Sequence, residues 1–165
     1  MSDEVDFRIE PARESDTPVI LRMITALVDY ERLSHELTVT ESKLRQALFG
    51  TRPAAEVVLG YVNMEAVGFA VYFPTFSTAS GHTGLYLEDL YVEPQWRGRG
   101  LGRKLVAHVA KVSAERGCGG LSWSVLNWNE SAIRFYRSLG AERILDSLSF
   151  RLVGKALDRL AGEEP

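Results

Sequence analysis

The chain has 165 residues, 45% of them hydrophobic and 25% charged, and it carries a formal net charge of -3 at pH 7. This length and composition predict one globular domain over residues 1–165, with a core from about residue 7 to residue 155, and exclude extensive disorder. Because the chain is acidic, has one cysteine, and shows neither a signal peptide nor an apolar run of membrane-spanning length, we expect a cytoplasmic protein that binds neither nucleic acid nor a membrane.

The first part of the chain predicts a short strand followed by two helices. Residues 7–9 form the extended stretch. Asp16 or Thr17 offers an N-terminal cap for the first helix, and an apolar stripe at helical spacing follows. Thr40 caps a second, shorter helix that Gly50 ends.

The middle of the chain changes to the pattern of strands. Residues 56–62 and 66–73 are two β-rich runs whose short connection predicts a hairpin. Residues 76–84 are rich in serine, threonine and glycine, and we expect a loop there. Residues 85–92 form a third strand, which Pro94 closes.

The last part of the chain alternates helices and strands. We expect a helix over 101–117, a strand over 121–125, a helix over 131–139 and a final strand over 144–153. The predicted order is therefore β-α-α-β-β-β-α-β-α-β, which is an α/β (α+β) domain with a mixed sheet.

A glycine-rich segment, Arg97-Gly98-Arg99-Gly100-Leu101-Gly102, lies between the third long strand and an amphipathic helix. Glycines at alternate positions let the backbone approach a ligand, and the amides at a helix N-terminus favour an anion such as a pyrophosphate. The glycines alone are equally compatible with a turn before a helix that has a solvated basic face. The spacing fits neither a Walker loop nor a dinucleotide-binding fingerprint.

Two motifs together are typical of one enzyme family. They are Arg97-x-x-Gly100-x-Gly102 and, further along the chain, Asn129-x-x-Ala132-x-x-Phe135-Tyr136-x-x-x-Gly140. Through both, the chain resembles the Gcn5-related N-acetyltransferases (GNAT), and the resemblance implies their fold, a mixed central sheet flanked by helices. Within that family the chain is similar to the diamine (spermidine/spermine) and thialysine-type acetyltransferases, through segments 29–31, 68–72, 85–92 and 128–130.

The resemblance implies two catalytic residues, Glu88 and Tyr136. An alkyl ammonium with a pKa of about 10.4 must lose its proton before it can attack a thioester. By similarity, Glu88 binds the cationic amine and relays this proton through water, and Tyr136 donates to the departing thiolate. The sequence makes Glu88 a lone carboxylate among Tyr86, Leu87 and Leu90. The strand and helix patterns alone would favour a solvent-facing glutamate and a packing tyrosine.

The resemblance also implies acetyl-CoA as cosubstrate, a small-molecule amine as partner, and a homodimer. The implied cofactor contacts lie on the third long strand, the glycine-rich segment and the last helix, and are Leu90, Tyr91, Val92, Arg97, Gly98, Arg99, Gly100, Leu101, Gly102, Arg103, Asn129, Ser131, Ala132 and Tyr136. Tyr30, Glu31 and Glu88 are the implied acceptor-binding residues. The three histidines are scattered, so we expect no metal site.

The acceptor stays open between several hypotheses. The favoured acceptor is a small cationic amine such as a diamine, a polyamine or a lysine-like amine. The alternatives are a protein N-terminus or lysine, an aminoglycoside, or a binding module that holds acetyl-CoA without turnover. The chain lacks the paired glutamates that the diamine enzymes carry before their last strand, and Asn127 replaces an acidic residue. Both differences argue against a long polyamine.

Overall fold

A computed structural model describes residues 6–163 of the chain, which contain one mixed sheet of five strands. The strands lie in chain order and are β1 (Phe7–Pro11), β2 (Glu56–Val62), β3 (Glu65–Ser77), β4 (His82–Val92) and β5 (Leu121–Trp123). Neighbouring strands are antiparallel except β4 and β5, which are parallel. The predicted α/β class with a mixed sheet is confirmed.

The described chain also has five α-helices, and it divides into two compact units with the boundary between Asn129 and Glu130. The larger unit holds all five strands with helices α1 (Thr17–Tyr30), α2 (Glu41–Phe49) and α3 (Leu101–Glu115). The smaller unit holds helices α4 (Glu130–Ser138) and α5 (Gly154–Ala161). Within residues 6–163, no helix has the length and apolar character needed to cross a membrane.

The helix boundaries follow the capping residues that the sequence predicted. Asp16 is the N-cap of α1. The side chain of Thr40 accepts a hydrogen bond of 3.3 Å from the backbone N–H of Lys43 at the start of α2, and Gly50 is the C-cap of the same helix. The Thr40 hydroxyl thereby satisfies a backbone N–H that the helix interior cannot pair, whereas the Asp16 carboxylate accepts from the Arg13 N–H and makes no capping hydrogen bond to α1.

One face of the sheet is covered by α1 and α2. The buried side chains of α1 recur every third or fourth residue, as a helix with one apolar stripe requires. They and Leu44 of α2 pack against inward-facing residues of β2, β3 and β4 in one core cluster, whose members include Ile20, Met23, Leu27, Leu44, Leu59, Phe69, Val71 and Tyr91. The end of α1 is thereby held beside the sheet.

The opposite face of the sheet is covered by α3, which approaches the strands closely. A Cβ atom at Gly60 of β2 would lie 2.7 Å from Leu101 Cδ1, and a Cβ atom at Gly68 of β3 would lie 3.2 Å from Leu101 Cδ2. A Cβ atom at either position would require the Leu101 side chain to shift, and at Gly68 it would also lie 2.9 Å from the Tyr91 carbonyl oxygen. The N-terminal turn of α3 therefore packs directly on the sheet.

The predicted loop over 76–84 is wrong, because β3 and β4 continue into it as a long hairpin. Ser77 pairs with His82, so the connection is only a few residues long. Serine and glycine favour turns over strands, but a continued hydrogen-bond ladder overrides that preference in this hairpin.

The predicted final strand over 144–153 is also wrong, since this segment belongs to no strand of the described chain. Its apolar side chains are exposed instead, with Leu148 84% and Phe150 92% accessible. A strand pattern becomes a strand only where a neighbour pairs with it, and the sheet of residues 6–163 ends at β5. Helix α5, which follows, was not predicted.

Candidate active site

A β-bulge in β4 sets the direction of the acidic side chains at its centre. Val71 of β3 pairs with Asp89, but the next residue, Tyr72, pairs with Leu87, so Glu88 is the extra residue of the bulge. Adjacent residues of β3 point to opposite faces, and their partners Leu87 and Asp89 do the same. The bulge therefore buries Leu87 on one face and turns Asp89 to the face that α1 covers.

Three carboxylates interact at this point: Glu88, Asp89 and Glu31, which follows α1 directly. Burial and, to a smaller extent, the charges of Glu88 and Glu31 raise the pKa of the Asp89 carboxyl to about 7. Burial and the charge of Glu88 also raise the pKa of Glu31. Like charges held together in a partly buried site are stabilised by a cation, so the cluster favours a positively charged ligand.

The sequence interpretation of Glu88 as a lone carboxylate is wrong. Asp89 is its neighbour along the strand, and the fold brings Glu31 to the same place from a distant part of the chain. Among residues 6–163, no group of three histidine, cysteine, aspartate or glutamate residues is arranged to hold a metal ion.

We expect Asp89→Asn to flatten the pH dependence of stability. The folded chain keeps the Asp89 proton up to about pH 7, whereas the unfolded chain loses it near 3.8, so the folded state binds more protons in between. The free energy of unfolding should fall as pH rises through this window, by roughly 3 kcal/mol between about pH 5 and 8. Urea denaturation at a series of pH values measures this free energy of unfolding for the natural chain and the variant. Exposed Glu65→Gln is the control, and equal slopes for Asp89→Asn and the natural chain would contradict the assignment.

The second half of β4 has an open edge. Strand β5 pairs only with Leu85 to Leu87 of β4, and in residues 6–163 no strand pairs with the β5-facing side of β4 beyond that point. The Glu93 N–H donates to the Val67 carbonyl at 2.9 Å. In an antiparallel ladder every second residue directs its backbone N–H and C=O groups to the same neighbouring strand, so the backbone groups of Tyr91 also face β3. Leu90 and Val92 then direct their backbone groups to the open side, where an extended ligand could pair with them.

The glycine-rich segment forms an open turn at the N-terminus of α3. Gly98 has a φ of 72° and Gly100 a φ of 92°, a conformation that residues with a Cβ rarely adopt. The first backbone bond of the helix runs from the Lys104 N–H to the Gly100 carbonyl at 3.0 Å. In the described chain, the N–H groups of 98–103 have no backbone acceptor, so this turn offers amides and the helix dipole to an anion.

Arg97 connects this turn to the end of α1. Its Nε donates to the Val92 carbonyl at 2.8 Å. Its guanidinium lies 5.0 Å from the centre of the Tyr30 ring and 5.5 Å from that of Tyr91. Cation–π contacts with two rings orient the side chain, and its remaining N–H donors stay available to a ligand.

Tyr30 is held by the loop that follows β5. Its hydroxyl donates to Asn129 Oδ1 at 3.4 Å, and its ring lies 6.2 Å from that of Trp128. Asn129 is buried, whereas Tyr30 and Trp128 remain 41% and 42% exposed. The larger unit therefore brings together the predicted acceptor residues Tyr30, Glu31 and Glu88, together with Asn129.

The remaining predicted residues lie on α4, in the smaller unit. Ser131, Ala132 and Tyr136 belong to its first two turns. The Tyr136 ring lies 5.2 Å from the ring of Phe135. Gly140, with a φ of 87°, follows the helix at the position that its sequence predicted.

These features identify the class of protein. The sequence model of the Acetyltransferase (GNAT) family matches residues 23–141, which is more than half of the chain. The chain therefore belongs to this family and is an acetyltransferase, and the cosubstrate of the family is acetyl-CoA.

Individual proteins of known name are similar to this chain in sequence or in structure. The chain is 40% identical to the thialysine N-epsilon-acetyltransferase of Mus musculus, over 94% of this chain and 97% of that protein. It is 26% identical to an L-ornithine N5-acetyltransferase of Arabidopsis thaliana, over 93% of this chain and 87% of that protein. An integron cassette protein of V. cholerae has a similar structure, with a TM-score of 0.80, 25% identity, and coverage of 95% of this chain and 98% of that one. The predicted resemblance to the thialysine-type enzymes is confirmed.

Asp89 and Trp128 are the site residues that sequence reasoning missed. An aspartate next to Glu88 on a regular strand would point away from it, and only the bulge lets both carboxylates share one site. Trp128 is far from Tyr30 in sequence, so no local pattern indicates their contact. The sequence feature that could have indicated a role for Trp128 is its position directly before Asn129, the first residue of the second motif.

Proposed function

We propose that this enzyme transfers the acetyl group of acetyl-CoA to the primary amine of a small cationic acceptor, in a ternary complex. The observation that carries the proposal is the group of three interacting carboxylates, Glu31, Glu88 and Asp89, at the bulge of β4. A cationic amine would compensate both the burial and the neighbouring charges that raise the pKa of Asp89, so the cluster favours a cationic acceptor over a neutral one.

The donor half of the site is proposed along β4 and the N-terminus of α3. The amides of 98–102 receive the pyrophosphate, with Arg97, Arg99 and Arg103 adding positive charge. The pantetheine arm pairs as an added strand with the open edge of β4 at Leu90 and Val92, next to Tyr91. Asn129, Ser131 and Ala132 supply further contacts to the cofactor.

The proposed chemistry is direct attack. The ammonium gives one proton to Glu88 through water, and the freed nitrogen forms a bond to the thioester carbon. The carbon–sulfur bond then breaks while the nitrogen loses its second proton to water, which leaves a neutral amide. Tyr136 donates a proton or hydrogen bond to the leaving thiolate, since a phenol with a pKa of about 10 is protonated at neutral pH. The acetyl group ends on the amine and coenzyme A leaves.

A lysine-like amine is the acceptor that the comparisons support best. The mouse and Arabidopsis relatives are named for acetylating side-chain amines of thialysine and ornithine, two small cationic amino acids. A protein amine or an aminoglycoside is the second acceptor class, and a cofactor-binding module without turnover is the third hypothesis. Glu88 and Tyr136 together favour turnover over mere binding.

A panel of acceptors tests this proposal through the release of free coenzyme A. We expect thialysine, ornithine and short diamines to be acetylated at least about tenfold faster than neutral amines of the same length, because the acidic cluster attracts an ammonium. Added salt should raise KM for the cationic acceptors only. Equal turnover of neutral and cationic amines, or insensitivity to salt, would contradict the proposal.

We also propose a homodimer, located in the cytoplasm. The supporting observation is segment 144–153, whose strand-forming sequence has no strand partner within the described chain and whose large apolar side chains are exposed: Ile144, Leu145, Leu148, Phe150, Leu152 and Val153. An exposed apolar stretch of this length is typical of a surface that another chain covers, and β5 of a second copy offers the edge of a sheet.

The double substitution Leu148→Asp with Phe150→Asp should convert the dimer into a monomer, because two charges would have to be buried in the contact. Met64→Asp is the matched control, since Met64 is 87% exposed but lies in the turn between β2 and β3. Light scattering after gel filtration measures the mass. A natural chain that is monomeric, or a double variant that stays dimeric, would contradict the homodimer.

A further inference from the structure

Arg32 occupies a backbone position that ordinarily favours glycine. It follows Glu31, the C-cap of α1, and has a φ of 62°. Its N–H donates to the Asp29 carbonyl at 3.1 Å, which closes the end of the helix. Helices commonly end on a left-handed residue of this kind, and glycine is usual there because other residues are strained. An arginine at this position therefore suggests a role for its side chain.

The Arg32 guanidinium lies on an exposed aromatic surface. Its central carbon is 5.1 Å from the centre of the Trp128 ring, and that ring also contacts Tyr30. Within residues 6–163, no carboxylate oxygen lies within 4 Å of the Arg32 guanidinium nitrogens. The side chain is thus oriented by a ring, while its hydrogen-bond donors have no acidic partner in the described chain.

Arg32 adds a positive charge to an acceptor side that is otherwise acidic. Glu31, the residue before it, interacts with Glu88, and both act on Asp89. The next residue along the chain carries a cation directed onto Trp128. The neighbouring Arg97 is engaged differently, because it donates to Val92 and lies against Tyr91 as well as Tyr30. The end of α1 therefore joins the group of three carboxylates, through Glu31, to an available guanidinium that lies on Trp128.

We propose that Arg32 binds the carboxylate of the acceptor and so selects α-amino acids with a terminal amine over simple diamines. The proposal rests on the proposed function, because it assigns the other end of the same acceptor. A diamine has two cationic ends and would bring one of them toward Arg32. An amino acid of the thialysine type has an ammonium for the acidic cluster and a carboxylate that a guanidinium binds through paired hydrogen bonds.

The test compares L-thialysine with bis(2-aminoethyl) sulfide, which is the same molecule without its carboxylate. Arg32→Gly is the variant, since glycine suits the positive φ and the chain should fold normally. We expect kcat/KM for thialysine to fall about 10- to 100-fold, mainly through KM, and kcat/KM for the diamine to stay unchanged or rise, because Arg32 no longer repels its second ammonium. Arg32→Lys should recover part of the thialysine activity. Arg52→Gly, at an exposed arginine between α2 and β2, is the matched control.

The possible outcomes distinguish failure of the role assigned to Arg32 from failure of the proposed enzyme activity. An equal loss with both acceptors would mean that Arg32 only caps α1 and would overturn the assignment, as would an unchanged KM for thialysine. Turnover of neither acceptor by the natural chain would overturn the proposed function itself, and this inference with it. A loss confined to thialysine supports Arg32 as the residue that determines acceptor specificity.

Discussion

Substituting Gly100 by valine should abolish the binding of coenzyme A. Gly100 has a φ of 92° and is the N-cap of α3. A β-branched residue is strained in that conformation, so the turn must rearrange and withdraw the amides that are proposed to receive the pyrophosphate. We expect the dissociation constant, measured by calorimetry, to rise by at least about 100-fold.

Gly120→Val is the matched control for this substitution. Gly120 lies just before β5, has no positive φ, and has open space where a Cβ atom would stand. Its variant should bind coenzyme A as the natural chain does. A Gly100→Val variant that folds and binds with undiminished affinity would exclude the turn at 98–102 as the pyrophosphate site.

Replacing Tyr136 by phenylalanine should slow turnover while leaving the cofactor bound. The substitution keeps the ring and its contact with Phe135 and removes only the hydroxyl. Loss of one hydrogen bond that stabilises a developing charge should lower kcat by roughly 10²–10³, with little change in KM for acetyl-CoA. Since water can replace part of the donor, the lower end of this range is expected.

Glu88→Gln is the contrasting variant in the same experiment. It removes a partner of the ammonium as well as a proton acceptor, so KM for the amine should rise and kcat should fall. Its rate should recover at high pH, where free amine is abundant. If Tyr136→Phe keeps full turnover, the leaving-group role belongs elsewhere and Tyr136 only packs.

The parts of the fold that local sequence dictates were predictable. Thr40, Gly50 and Gly140 act on the backbone within one helical turn of their own positions, and each helix boundary lies where these residues indicate. The segment 97–102 was equally readable, because the requirement for glycine at a positive φ arises within the turn itself.

The parts that depend on distant contacts were not predictable. The bulge at Glu88 is a property of the pairing between β3 and β4, and the sequence of β4 alone does not reveal it. The group formed by Glu31 and Asp89 depends on that bulge. The strand expected over 144–153 has suitable residues but no partner in the described chain, and propensity cannot supply one.

Acetyl transfer from acetyl-CoA to a cationic amine is tested most directly by measuring both products of one reaction. The protein is incubated with acetyl-CoA and thialysine, free coenzyme A is titrated, and the amine product is identified by mass. We expect one acetylated amine for each coenzyme A released, at a rate that depends on the concentrations of both substrates. Release of coenzyme A that does not depend on the amine, or binding of acetyl-CoA with no acetylated amine, would contradict it.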